Sequence, residues 1–225
     1  MRNATFFKIF VLFSAFYLLV LFLGYENLDP YLKPALIPLL SLGAFFYRKF
    51  PSQKILLTAL LFSWIGDVIL LFTDISEIYF ILGLIAFLFA HITYCVLFNK
   101  QKFNRKERNK PVFITGSILI AVYLVAMISF LMPSLGDLKL PVIVYASIIS
   151  IMFLFAFNGL LTWKNPGNQL VFFGALIFLI SDSILAINKF YFPIYKSSFF
   201  IMFTYLVAQY LIVIGILKLN PKKAE

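Results

Sequence analysis

The chain has one cysteine, one histidine and nine acidic residues, and each scarcity closes off a class of function. Cys95 sits inside an apolar run with no second thiol to meet, so a disulfide framework and a cysteine-rich metal site are both excluded. It reads as a small buried side chain. With His91 the sole imidazole, a metal could use only Asp67, Asp182 and His91. That is a thin ligand set, and neither metal nor cofactor is expected. A glycine-rich phosphate loop, HExxH and GxSxG are all missing, which leaves nucleotide, zincin and serine-hydrolase readings without support.

Charge is scarce too. Only 12% of the 225 residues are charged, against 63% hydrophobic, a balance far from that of soluble domains. The expected class is a polytopic membrane protein. The net charge of +10 sits in short loops between apolar runs, so it is read as membrane topology, and no nucleic-acid partner is expected.

A membrane-crossing helix needs about 20 apolar residues. Eight segments qualify: 6–24, 31–47, 54–73, 77–99, 112–132, 141–161, 169–190 and 197–219. They are continuously apolar and do not alternate with period two, which predicts helices and excludes barrel strands. The fold expected is therefore all-α, an integral membrane bundle of eight transmembrane helices. The first run follows Arg2 and Lys8 but is long and has no small-x-small site before Gly24, so it is read as a span and not as a signal peptide.

Of the 19 Lys and Arg residues, fifteen fall on the side of the N-terminus and four (Lys33, Lys139, Lys189, Lys196) on the other. The positive-inside rule then puts both termini in the cytoplasm, as in a bacterial inner membrane. The loop 99–111 falls midway and divides the single membrane domain into possible halves, 1–104 and 105–225. IGDVIL (65–70) aligns with ISDSIL (180–185), superposing Asp67 on Asp182, and Phe87-x-x-Ala90-His91 matches Tyr205-x-x-Ala208-Gln209 more weakly. Four spans per half would give a parallel repeat.

Asp67 and Asp182 are the only acidic residues inside the apolar segments. A charge at bilayer depth costs about 2.5–3.5 kcal/mol on insertion scales, so such residues are functional candidates by default. Each lies 13 residues beyond its flank residue, Lys54 or Gln169, hence about 20 Å into the membrane and level with the other. Tyr205 is expected near that height, with His91, Tyr94 and Gln209 a turn or two deeper and Lys33 and Lys189 at the outer rim. The competing readings are structural: the carboxyls as helix glue, His91 as a packing group, the lysines as interfacial anchors. Two carboxyls facing each other across a low-dielectric cavity cannot both ionise cheaply, so one proton stays with the pair and supplies an acid and a base. That combination suits cleavage through an oxocarbenium-like state, or attack by activated water.

KPALIPLL (33–40), IGDVILL (65–71), FLFAHITY (87–94), Tyr145 with Met152, GALIFLISDSILAINKF (174–190) and TYLVAQYLI (204–212) together resemble the YhhN family of membrane proteins, which includes lysoplasmalogenases. The resemblance implies an eight-helix fold that hydrolyses the vinyl ether bond of a lysophospholipid to a fatty aldehyde and a glycerophospho-alcohol. It also implies functional roles for Lys33, Asp67, His91, Tyr94, Asp182, Tyr205 and Gln209. Asp67 and Asp182 would be catalytic, and the others, with Lys189, would bind substrate. Membrane lipid is the only other partner expected, with no obligate protein. The alternative is a lipid-binding or proton-coupled transport protein using the same carboxyls. An intramembrane aspartyl protease fits less well, because Trp64 occupies the first position of what would be GxGD.

Overall fold

The structure, a computed structural model, describes residues 2–101 and 109–221. Among these residues there are eight α-helices and no strand: α1 Arg2–Phe22, α2 Asp29–Phe45, α3 Gln53–Leu70, α4 Glu77–Lys100, α5 Lys110–Leu131, α6 Lys139–Thr162, α7 Gly167–Phe190 and α8 Ser197–Leu219. Seven are long and apolar enough to cross a membrane. The exception is α2, with 17 residues and prolines at 34 and 38 inside it. The protein is an integral membrane protein. The expected boundary at 104/105 lies outside the described residues, as do the basic side chains at 2, 102, 105, 106, 108 and 222–223.

The chain divides into two compact units, Met1–Leu97 and Phe98–Pro221. In the first, α2 packs on α1 and on α3. Proline 38 has no N–H to give the carbonyl four residues back, which leaves the Pro34 oxygen without its helical donor. The Trp64 indole on α3 supplies one at 2.8 Å. At the far end of α2, the Gln53 side-chain amide donates to the carbonyls of Ala44 and Phe45 at 2.9 and 3.2 Å, two groups a helix end leaves open. The interruption and the end of α2 are thus both tied to α3.

In the second unit, the most extensive packing is between α7 and α8. A Cβ at Gly174 would stand 2.9 Å from the Ile212 nitrogen and 3.0 Å from the Ala208 oxygen, and one at Gly215 would stand 2.9 Å from the Val171 nitrogen. The two backbones meet directly, the small-residue packing that helices use where lipid removes the hydrophobic drive to associate. Near the α6 start, Leu131, Leu135 and Val142 form an apolar cluster with Ile187 and Phe190 of α7.

Gly174→Ala should therefore lower the thermal unfolding midpoint in detergent by an overpacking cost of about 1–3 kcal/mol. Gly116→Ala, where the atoms nearest the added methyl all belong to the Phe157 ring, should cost less because a ring can turn aside. Equal losses in a side-by-side melt would refute the backbone contact as the cause.

Candidate functional site

Successive helical residues point about 100° apart, so three in a row can address three different neighbours. Ser181, Asp182 and Ser183 of α7 do this. Ser181 donates to the Ile201 carbonyl of α8 at 2.9 Å. Asp182 Oδ2 accepts the Tyr145 hydroxyl of α6 at 2.5 Å. Ser183 hydrogen-bonds the Tyr123 hydroxyl of α5. Because Ser183 gives its only proton to the Leu179 carbonyl at 2.6 Å, Tyr123 is the donor in that pair. Ser181 is buried, whereas Asp182 is half-buried and keeps an exposed part.

Tyr205 and Gln209 are buried on α8, and the Tyr205 ring meets Phe178 of α7 edge-on, 5.5 Å between centroids. Lys189 lies in the last turn of α7 and is exposed, where its charge complements the helix dipole.

In the first unit, Asp67 is 3% exposed on α3. The small residue before it has a steric reason, since a Cβ on Gly66 would fall 2.6 Å from the Phe87 ring. Phe87 stands one turn before His91 on α4, and both His91 and Tyr94 are wholly buried.

Lys33 departs from the expectation of a lone rim cation. Its ammonium lies 4.0 Å from Asp29 Oδ2, and its side chain is mostly buried. The other Asp29 oxygen accepts the hydroxyl of fully buried Tyr17 at 2.5 Å. Asp29, two residues ahead of the span expected from 31, opens α2, where a carboxylate favours the helix N-terminus.

Tyr17, Asp29, Trp64, Tyr123 and Ser183 received no role from the sequence, and Tyr145 was noted only as part of a motif. The signal was there for Asp29, four residues before Lys33, and for the open Pro34 carbonyl that Trp64 meets, since Pro38 follows Pro34 by four. Among the described residues, no group of three or more His, Cys, Asp and Glu side chains gathers as a metal site would require.

These features define a polytopic helical membrane protein whose polar groups centre on carboxyls held by tyrosines. The model of the YhhN family matches residues 28–216, a stretch that contains all eight candidate residues from Lys33 to Gln209. The chain belongs to the YhhN family. It is 32% identical over 182 residues to lysoplasmalogenase TMEM86A of Bos taurus, covering 79% of this chain and 71% of that protein. It is 32% identical over 186 residues to lysoplasmalogenase TMEM86A of Homo sapiens, with the same coverage. It is also 30% identical over 197 residues to lysoplasmalogenase TMEM86B of Homo sapiens, covering 84% and 76%. No solved structure matches it significantly.

A double-mutant cycle of Tyr145→Phe with Asp182→Ala should give a coupling energy of about 0.6–1.7 kcal/mol in detergent unfolding, the range of polar bonds between membrane helices. Strict additivity would show that the pair adds nothing to the fold.

Proposed function

We propose that the protein is a membrane-embedded lysoplasmalogenase that hydrolyses the vinyl ether bond of a lysophospholipid. Two observations support the reading: curated relatives of that name at about 30% identity over most of the chain, and a partly buried carboxyl within a membrane-spanning helix that accepts a phenol hydrogen bond.

In the reaction, Asp67 in its protonated form gives its proton to the vinyl carbon remote from oxygen, leaving an oxocarbenium ion. Asp182, the acceptor of the Tyr145 hydrogen bond, stabilises that cation and then takes a proton from the attacking water. The hemiacetal so formed collapses to a fatty aldehyde and a glycerophospho-alcohol, so the sum is substrate plus water. Tyr145 acts as a positioning residue for Asp182. Lys189, exposed at the end of α7, contacts the phosphate, and Lys33, its charge tempered by Asp29, is the corresponding cation of the first unit. His91 and Tyr94 in the first unit, and Tyr205 and Gln209 in the second, are the buried polar residues assigned to substrate binding. The positive-inside asymmetry supports both termini lying in the cytoplasm.

Purified protein in lipid nanodiscs should release aldehyde from a lysoplasmalogen. Asp67→Asn and Asp182→Asn should each lower turnover by about 10²–10⁴-fold, the usual worth of one general acid or base. Tyr145→Phe should lower kcat and leave KM in place, a split that a merely structural loss would not give. Proton-coupled uptake of the lysolipid into vesicles without aldehyde would overturn the enzyme reading in favour of transport.

A further inference from the structure

We infer that a groove in the second unit, between α5, α6 and α7, holds the single hydrocarbon chain of the lysolipid whose polar end reacts at Asp182. The inference rests on the lysolipid-hydrolase reading and adds where the chain lies. The groove has a volume of about 230 Å³. That is more than the about 150 Å³ of an apolar void that admits benzene, and its walls are likewise hydrocarbon.

Leu119 and Ile120 of α5, Phe153 of α6 and Leu176, Leu179 and Ile180 of α7 form those walls. The one polar residue in the lining is Tyr123, whose hydroxyl bonds Ser183, the neighbour of Asp182. The groove therefore begins at the layer of the carboxyl. It also runs one way from that layer on all three helices. Leu179 and Leu176 precede Asp182 by three and six residues, the latter about 9 Å along the axis. Leu119 and Ile120 precede Tyr123 on α5, and on α6, which runs oppositely, Phe153 follows Tyr145.

Exposure separates the floor from the mouth. Leu179 and Phe153 are buried at 6% and 8%, while Leu119 and Ile180 are 63% and 44% exposed. In a bilayer that open flank faces lipid tails, so one chain can slide in sideways without its headgroup crossing the hydrocarbon. A larger groove of about 480 Å³ lies between α2 and α3 in the first unit, lined by Leu60, Leu61 and Trp64 among others. No carboxyl lines it, and the Trp64 N–H in its wall is committed to Pro34. It serves as the internal control.

A saturated 1-O-alkyl lysolipid with a diazirine at mid-chain cannot be cleaved by vinyl ether chemistry, so its binding is read independently of turnover. Illumination of the protein with this probe in detergent should label residues 119–123 and 176–180, and excess unlabelled lysolipid should suppress the label. Labelling confined to the α2–α3 groove, or unaffected by competitor, would overturn the inference even if aldehyde release were observed. Labelling as expected without aldehyde release would uphold it and count against the enzyme. Leu176→Trp, which fills the groove, should raise the ratio of turnover on chains of about eight carbons to chains of about sixteen by roughly tenfold or more. Leu61→Trp should leave that ratio unmoved. Should Leu176→Trp fail to fold, Leu176→Ala should move the ratio the other way. A reversed pattern between the two grooves would sink the assignment. So would a Leu176→Trp effect on oligomer size in native mass spectra with no change in chain preference, since the groove would then hold a second copy.

Discussion

A polar group inside a hydrocarbon slab has to be met by a partner from the protein, because no solvent is there to meet it. This requirement organises both halves of the chain. In the second unit it is answered at one level of α7, where Ser181, Asp182 and Ser183 each engage a different helix. Three adjacent residues thereby join α5, α6 and α8 to the helix that carries the carboxyl. Single hydrogen bonds between membrane helices are individually modest. Their value here lies in fixing rotation: turning α7 by one residue would misdirect all three.

The first unit answers the same requirement by other means. Asp29 is flanked by a phenol and an ammonium, so its charge and that of Lys33 are largely settled between them. Prolines in α2 create an open carbonyl, and an indole from α3 closes it. A helix too short and too kink-prone to stand alone is thus held by its neighbours. Its sequence is tolerable in a membrane only for that reason.

The helices were legible in the sequence because continuous apolar runs of spanning length admit few other structures. The start of α2 was misplaced because Asp29 and Pro30 look like a loop by hydropathy, although acid and proline are what the first turn of a helix favours. Asp67 and Asp182 stood out as isolated charges. Their surroundings did not, since twelve tyrosines are spread through the chain and only the packing decides whether one faces a carboxyl or the membrane interface. Tyr145 and Tyr123 are resolved from the rest by the rotation of α6 and α5 against α7. The pairing of Lys33 was readable from its spacing to Asp29 and was obscured by assigning the two to different structural elements.

The glycine contact between α7 and α8 has a mechanical corollary. Where backbone lies this close to backbone, few side-chain rotamers are left to absorb a shift, so the pair behaves as a stiff spine that resists sliding. On the opposite side, no residue of α5 before Leu131 is buried. The anchorage of the second unit is therefore lopsided, rigid along one edge and loosely attached along the other. Any breathing of this half must swing on the loose edge.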